Sequence, residues 1–248
     1  MIILKSRAEI EKMRAANLVV CDCMDRISER IHPGVTTIEL NRIAEEAILA
    51  AGARPAFKGY RGYQYTLCTS INEEVVHGIP GKRELKEGDI IGIDCGVLYG
   101  GFYGDMAVTF SVGNITPETS KLLKVTEGAL YIGIDKARVG GRLFDISAAI
   151  QGHVEAAGFS VVRDFVGHGV GTSLHEDPQV PNFGEAGTGI KLRPGMVLAL
   201  EPMVNTGDWK VKVLDDNWTV VTVDKSLSAH FEHSVAITES GPYILSKM

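Results

Sequence analysis

The chain has 248 residues, 45% of them hydrophobic, which suffices for a substantial core in one large domain or two small ones. Its formal net charge of −6 at pH 7 and the absence of any basic run argue against a nucleic acid as the main partner. Charges throughout residues 1–20, and the lack of a long apolar run, argue against a signal peptide and a membrane span.

Four helices and five strands are predicted along the chain. Capping boxes open the first two helices, at Ser6 and Thr36, and Gly52 ends the second. The third helix begins after Thr116, and the fourth, RLFDISAAIQGHVEAAG, ends at Gly158. Without a low-complexity linker, helices and strands alternate throughout. The predicted strands are DIIGIDCGVL, GFYGDMAVTF, MVLALEPMV, WTVVTV and HFEHSVAIT.

The four cysteines indicate a reducing environment. They form no CxxC pair, and their spacing does not resemble a disulfide framework. We therefore expect a cytoplasmic protein with free thiols. The ordinary role of a small buried apolar residue is favoured for Cys21, Cys23 and Cys95.

The two halves of the chain repeat one another. The sequence AAG ends both the second and the fourth helix, and a glycine precedes each of these ends by the same interval. Downstream, LKEGDIIGID aligns with LRPGMVLALE, so that Asp94 and Glu201 end matching strands. This indicates a duplicated α-then-β unit. We predict a single domain, 1–248, with halves at roughly 1–115 and 116–248.

Acidic residues occur at the ends of apolar strands. Strand alternation places Asp94 between two glycines, and a tight turn at Tyr99–Gly101 places Asp105 on the same face, opposite or diagonal to Asp94. Glu201 and Glu232 lie in two further apolar strands. One such acid alone is more simply a turn cap or a surface residue. Four together in a core require compensation, and two divalent cations roughly 3.5 to 4 Å apart would supply it, as in dinuclear hydrolases.

Two histidines lie in the glycine-rich stretch GHGVGTSLHEDP, which cannot form a helix. An HExxH zinc helix is excluded, because no second histidine follows at the required step. Between its glycines, His168 can approach a metal closely, whereas His175 is better placed over a substrate, and His77 ends another apolar run at a turn. An ordinary structural role is favoured for His32, His153 and His233.

Five stretches resemble the motif set of the type I methionine aminopeptidases over nearly the whole chain. They are SINEEVVHGIP, GDIIGIDCGVLYGGFYGDMAVTF, GHGVGTSLHEDPQVPN, LRPGMVLALEPMV and LSAHFEHSVAIT. The short interval from His175 to Glu201 leaves no room for the insert of type II enzymes. The sequence also lacks the long N-terminal extension of eukaryotic type I forms, so the resemblance favours the bacterial-style members. It implies the pita-bread fold, an α+β architecture of two pseudo-symmetric halves. In that fold an antiparallel sheet is covered by helices, and a dinuclear metal site lies at the centre.

The resemblance also implies roles for individual residues. The implied metal ligands are Asp94, Asp105, His168, Glu201 and Glu232. They would hold two divalent ions, and this donor set suits Co, Mn, Fe or Zn. The implied catalytic residues are His77, His175 and Glu201. The implied methionine pocket consists of Phe57, Tyr60, Tyr63, Cys68, Leu174 and Trp218. The chain departs from the family pattern at two of these positions, where an aromatic residue is usual instead of Leu174 and a smaller one instead of Phe57.

The implied activity is the removal of the N-terminal methionine from peptides and nascent proteins, with a preference for a small second residue. A metal-bridged hydroxide would attack the first peptide bond, because coordination lowers the pKa of water from about 15.7 to about 7. His77 and His175 would contact the scissile amide and the developing oxyanion, while Glu201 would pass a proton to the leaving amine. The implied partners are peptide and nascent-protein N-termini, with the ribosome as a candidate, and the enzyme would be a monomer.

Two alternatives remain at this point. An X-Pro aminopeptidase of the same fold would keep the five ligands, but it usually carries an additional amino-terminal domain. A non-catalytic pita-bread binding module would have lost ligand positions, and all five are present here.

Overall fold

The four predicted helices are confirmed in a computed structural model that describes residues 1–247. They are α1 (Arg7–Ser28), α2 (Thr37–Ala50), α3 (Pro117–Lys136) and α4 (Leu143–Ala156). The hydroxyls of Ser6, Thr36 and Thr116 each accept a hydrogen bond from a backbone N–H in the first turn of the helix that follows, so the predicted caps set the start of α1, α2 and α3. Among residues 1–247, no helix combines the length and the apolar character needed to cross a bilayer.

The strands are short except for one central pair. In chain order they are β1 (Arg54–Pro55), β2 (Leu67–Ile71), β3 (Glu74–Val76), β4 (Ile90–Tyr99), β5 (Phe102–Ser111), β6 (Ser160–Val161), β7 (Gly167–Gly169), β8 (Glu176–Val180), β9 (Val197–Leu200), β10 (Met203–Asn205), β11 (Val211–Val213), β12 (Val220–Thr222), β13 (Ser228–His230), β14 (Glu232–Thr238) and β15 (Gly241–Ile244). A single 3-10 turn, Tyr60–Gly62, follows β1.

A large antiparallel sheet organises the molecule. Its strands follow the order β1-β4-β5-β14-β9-β7-β8, with β2 also paired to β4 and β15 to β14. Two smaller sheets have the orders β13-β10-β6 and β11-β12-β3. The β5–β14 pair joins the strands of the first half of the chain to those of the second.

The helices cover the large sheet in two pairs. Helices α1 and α2 pack together and α1 lies on β4 and β5, whereas α3 and α4 pack together and α3 lies on β9 and β14. Each pair encloses its own hydrophobic core, with Ile91 and Ile93 in the first core and Leu198 and Val235 in the second. This arrangement about the β5–β14 pair confirms the predicted α+β fold with two pseudo-symmetric halves.

The longest hairpin positions the first two acids. Strands β4 and β5 pair over ten residues and are joined by Gly100–Gly101, both with positive φ, as the favoured two-residue hairpin turn requires. In this register Gly96 lies opposite Asp105, and Asp94 lies opposite Ala107. Asp94 and Asp105 are therefore diagonal neighbours on one face, as predicted. That face is opposite the one that carries the buried Ile91 and Ile93 of β4.

Two of the predicted strands are interrupted, and predicting each as one continuous strand was wrong. MVLALEPMV forms β9 and β10 in different sheets, with Glu201 and Pro202 between them. Proline cannot donate a ladder hydrogen bond, which favours a break at this point. HFEHSVAIT likewise changes sheets at Phe231, between β13 and β14. Glu201 and Glu232 thus lie where the chain passes between sheets.

Candidate active site

A cavity of about 350 Å³ opens on the large sheet, on the face that carries Asp94 and Asp105. Its volume lies in the range of small-molecule sites. Every residue that the sequence analysis singled out as a metal ligand, a catalytic residue or a pocket residue lines it. The ligand residues come from β4, β5, β7 and β14 and from the break after β9, whereas the other side chains come from β2 and from loops of both halves. The cavity is therefore built by both halves of the chain.

Three of the expected ligands form a compact group. Asp105, His168 and Glu232 are buried, and each offers one ligand atom such that the three atoms lie within 4.8 Å of one another. His168 Nε2 lies 3.9 Å from Asp105 Oδ2 and 3.5 Å from Glu201 Oε1. Asp94 and Glu201 line the same cavity beside this group. The four carboxyl groups therefore converge, as expected from the strand patterns, and His168 lies among them.

Close packing of strands brings His168 to the acids. It lies in β7 between Gly167 and Gly169, and β7 is paired on one side with β9 and on the other with β8. A Cβ on Gly167 would lie 2.3 Å from the carbonyl oxygen of Ala199, and one on Gly169 would lie 2.2 Å from that of Asp177. Only glycine allows both approaches, which is why His168 sits in this GHG sequence.

All four carboxyl groups have raised pKa values, and burial is the largest cause in each. Burial raises the pKa of Asp94 to about 7 and that of Glu201 to about 8. Burial, and then the negative charges of the neighbouring acids, hold the pKa of both Asp105 and Glu232 well above the usual range. Four ionised carboxylates are unstable in such surroundings unless cations lie among them.

Unpartnered atoms show that a cation fits this cluster. Within the described residues, Asp94 Oδ1, Asp105 Oδ1 and Glu232 Oε1 are buried and have no hydrogen-bond partner, although such atoms are ordinarily paired. His168 Nδ1 lies 2.9 Å from the carbonyl oxygen of Gly169. A carbonyl can only accept, so Nδ1 carries the proton and Nε2 presents a lone pair to the acids. Oxygen donors with one imidazole nitrogen suit a divalent transition metal.

The two other histidines lie in the wall of the cavity. The ring of His77 meets Phe165 and Trp218 edge-on, with centroid distances of 5.6 and 6.4 Å, and burial lowers its pKa to about 4. The ring of His175 lies 4.3 Å from that of His168, centroid to centroid. Withdrawal from water, and then the charges of His168 and Arg61, lower the pKa of His175 to about 4. Both rings are therefore neutral near pH 7.

An apolar pocket adjoins the carboxylate cluster. It is formed by a buried group of side chains, with Tyr60 and Trp218 packed against its edge; the buried members are Ala56, Phe57, Tyr63, Cys68 and Leu174. The phenol of Tyr63 donates to the carbonyl oxygen of Leu67 at 2.8 Å, so its polar end is satisfied. A Cβ on Gly96 would lie 2.7 Å from the Phe57 ring, so the absence of a side chain there makes room for the large residue at position 57.

One residue beside the cluster received no role from the sequence patterns. His230 is buried, and its Nε2 lies 3.6 Å from Glu201 Oε2 without a hydrogen-bond partner in residues 1–247. Its position two residues before Glu232 is the signal that could have identified it. His233, for which a structural role was favoured, bonds through Nδ1 to Ser246 Oγ at 2.8 Å on the opposite side of the strand.

Further residues that were not predicted complete the cavity wall. They are Arg61, Val76, Asp164, Phe165, Val166, Gln179 and Met203.

A buried ion pair supports the loop that carries His175. The ammonium group of Lys5 bonds to the carboxylate of Glu176, and the two side chains are only 4% and 6% exposed. Glu176 also accepts a hydrogen bond of 3.2 Å from the backbone N–H of Ser173, and Lys5 donates to the carbonyl of Ile3 at 3.0 Å. The amino-terminal segment is thereby tied to the residue that follows His175.

Replacing Lys5 with Met should lower the free energy of unfolding by about 3 kcal/mol, because it leaves a buried carboxylate without its partner. Urea denaturation followed by circular dichroism measures this change. The double variant Lys5→Met/Glu176→Gln should recover part of the loss. Arg26→Met, which breaks an exposed pair with Asp22, is the matched control and should change little. Equal, small effects of the two single substitutions would contradict the supporting role of the buried pair.

The chain is similar to known proteins over nearly its whole length. The sequence profile of Metallopeptidase family M24 matches residues 11–239. A methionine aminopeptidase of Clostridium perfringens is 57% identical over 246 residues, which cover 99% of each chain. Methionine aminopeptidase 1 of Bacillus subtilis is 54% identical over 248 residues, which cover 100% of each chain.

Solved structures extend the comparison to the fold. The methionine aminopeptidase from Thermotoga maritima superposes with a TM-score of 0.98 at 50% identity, with 100% of each chain covered. The prolidase from Pyrococcus horikoshii gives a TM-score of 0.80 at 23% identity, which covers 99% of this chain but 64% of the prolidase and shows a shared fold alone. With the pita-bread architecture and the convergence of carboxylates, these matches show that the chain belongs to metallopeptidase family M24 and, within it, to the methionine aminopeptidases.

Proposed function

We propose that this chain is a metal-dependent aminopeptidase that removes the N-terminal methionine from peptides and nascent proteins, preferring a small second residue. One observation carries the proposal: a buried cluster of four carboxyl groups and His168 adjoins an apolar pocket in a single cavity. The cluster would bind the metal ions that hydrolysis requires, and the pocket would bind one apolar side chain of the substrate. Because residues of both halves form the cavity, the whole chain would act as one catalytic domain.

Two divalent ions would be held by the predicted ligands Asp94, Asp105, His168, Glu201 and Glu232. Four carboxylates carry four negative charges, which two divalent ions balance. Three of these acids have a buried oxygen without a hydrogen-bond partner, which would be available to a cation. When bound, the ions polarise the scissile carbonyl and provide a nucleophile near neutral pH. The donor set is compatible with Co, Mn, Fe or Zn.

The remaining steps fall to side chains around the substrate. His175 would donate a hydrogen bond to the scissile carbonyl oxygen as negative charge develops on it, and His77 would contact the scissile amide. Glu201 would carry a proton to the leaving amine, because its carboxyl group lines the cavity beside the ligand group. The pocket beside Phe57 and Tyr63 would hold the flexible thioether side chain of methionine.

Peptide hydrolysis tests this function directly. With Mn or Co added, the protein should cleave Met-Ala-Ser and release methionine, and it should leave Ala-Ala-Ser and Ala-Pro-Ser intact. A peptide with a large second residue, Met-Leu-Ser, should be cleaved more slowly. Cleavage of Ala-Pro-Ser in preference to Met-Ala-Ser would instead favour an X-Pro peptidase. A metal-loaded protein that cleaves none of these peptides would support the non-catalytic alternative.

A further inference from the structure

Tyr60 and His175 form a contact that the pocket role of Tyr60 does not require. The phenol oxygen of Tyr60 lies 2.9 Å from His175 Nδ1, which is hydrogen-bonding distance. The two rings also stack, with centroids 5.3 Å apart and planes inclined by 27°. Within residues 1–247, this phenol makes no other hydrogen bond. The contact joins the turn after β1 to the loop before β8, at the open side of the cavity.

The position of Tyr60 is set by its own turn. The backbone N–H of Gly59 donates to the carbonyl of Tyr63 at 2.7 Å, and that of Tyr60 donates to the carbonyl of Phe57 at 2.9 Å. Arg61 has a left-handed backbone, with a φ of 49°, and its guanidinium lies 5.4 Å from the centroid of the Tyr60 ring. A non-glycine residue in this conformation is uncommon and is retained where the surroundings fix it. The phenol is therefore held toward His175 from its own side.

The chemistry of imidazole gives this contact a direction. A neutral histidine has one ring N–H and one ring lone pair. To donate a hydrogen bond into the cavity from Nε2, His175 must carry its proton there and present a lone pair at Nδ1. A phenol O–H that donates to Nδ1 stabilises this tautomer. If the phenol oxygen instead accepted from Nδ1–H, Nε2 would hold only a lone pair and could not stabilise an oxyanion.

We propose that Tyr60 is a positioning residue for His175. The hydroxyl of Tyr60 donates to His175 Nδ1 and keeps the imidazole proton on Nε2. The proposal rests on the donor role given to His175 under the proposed function. The side chain of Tyr60 thus has two separate roles. The ring of Tyr60 lines the methionine pocket, and its hydroxyl fixes the tautomer of the neighbouring histidine. The hydroxyl should consequently affect the rate of reaction for every substrate side chain, rather than the choice among them.

Nuclear magnetic resonance tests the tautomer without any reaction. In metal-free protein labelled with ¹⁵N-histidine at pH 8, long-range ¹H–¹⁵N spectra distinguish Nδ1–H from Nε2–H, and a His175→Gln sample assigns the signal. We expect the Nε2–H form in the wild type and a lower fraction of it in Tyr60→Phe, which keeps the ring and removes the hydroxyl. Tyr65→Phe, the same change at a nearby tyrosine outside the cavity wall, should leave the tautomer as in the wild type.

Kinetics provide the second measurement. Tyr60→Phe should lower kcat for Met-Ala-Ser about 10-fold, the effect of one lost hydrogen bond of about 1.4 kcal/mol, with little change in KM. The same factor should apply to a peptide that begins with norleucine. A raised KM with unchanged kcat and an unchanged tautomer would reduce Tyr60 to a pocket residue and overturn the proposal. An Nδ1–H tautomer in the wild type would also overturn it. The spectra do not depend on enzymatic activity. If the proposed peptidase function were wrong, the wild type would be inactive, and the tautomer could still be measured.

Discussion

Replacement of Glu201 with Gln is expected to lower kcat for Met-Ala-Ser by about 10²- to 10⁴-fold while the chain remains folded. The amide has nearly the same shape as the carboxyl group but can neither accept the proton of the reaction nor supply a negative charge to a cation. Glu201 lies where the chain leaves the large sheet, with its oxygens 3.5 Å from His168 Nε2 and 3.6 Å from His230 Nε2. Its loss would therefore affect both the ligand group and proton transfer.

Two measurements separate these effects of Glu201→Gln. Steady-state kinetics over a range of Mn concentrations should show a low kcat even at saturating metal, because proton transfer stays impaired. Thermal unfolding of the metal-free variant should occur no lower than in the wild type, since one of four mutually repelling acids has been neutralised. Glu239→Gln, at an exposed turn, is the matched control and should retain full activity. A Glu201→Gln enzyme with wild-type kcat would contradict the role given to this carboxyl group.

Removal of metal is expected to lower the melting temperature, and to lower it more at pH 8 than at pH 6. In the metal-free fold the pKa values of Asp94 and Glu201 are about 7 and about 8, whereas the unfolded chain has ordinary values near 4. Between about pH 4 and 6.5 the buried histidines, whose pKa values are lowered, act in the opposite direction. Above about pH 6.5 the folded protein binds more protons than the unfolded chain through these carboxyl groups, so the stability of the metal-free protein falls as pH rises toward 8. Divalent ions bind the ionised carboxylates, so their affinity rises over the same range.

Scanning calorimetry of chelator-treated protein, with and without Mn at pH 6, 7 and 8, measures both trends. At a metal concentration 100-fold above Kd, binding contributes about 2.7 kcal/mol, which corresponds to an increase of about 5 to 10 °C for a chain of this size. In Asp105→Asn the Mn-dependent increase should be much smaller at every pH. If Mn left the melting temperature of the wild type unchanged at pH 8, or if the metal-free protein were most stable at pH 8, the cluster would not be a metal site.

Local rules accounted for much of the fold and for the acids of the site. Capping residues such as Ser6 and Thr36 act within one helical turn, so their effect can be read from adjacent residues. The faces of Asp94 and Asp105 follow from strand alternation and a two-residue turn, which are equally local. The repeat between the halves extended these rules to Glu201, because a matching strand ends in a matching acid.

Features that depend on distant partners could not be obtained in this way. The GHG strand containing His168 is three residues long and pairs with strands on both sides, so no periodic pattern identifies it. The change of sheet at Glu201 depends on where β10 finds its partners, β13 and β6, which are remote in sequence. No sequence pattern identified His230, because its contact with Glu201 is formed only in the folded chain.

The β5–β14 pair has a consequence for how the protein unfolds. Asp105 lies on one of these strands and Glu232 on the other, so a cation held by both acts as a noncovalent cross-link between the two repeats. Neither half could unfold by itself without breaking that link, because each half supplies only some of the metal ligands. Occupancy by metal would thus couple the unfolding of the two lobes, although each has a separate apolar interior.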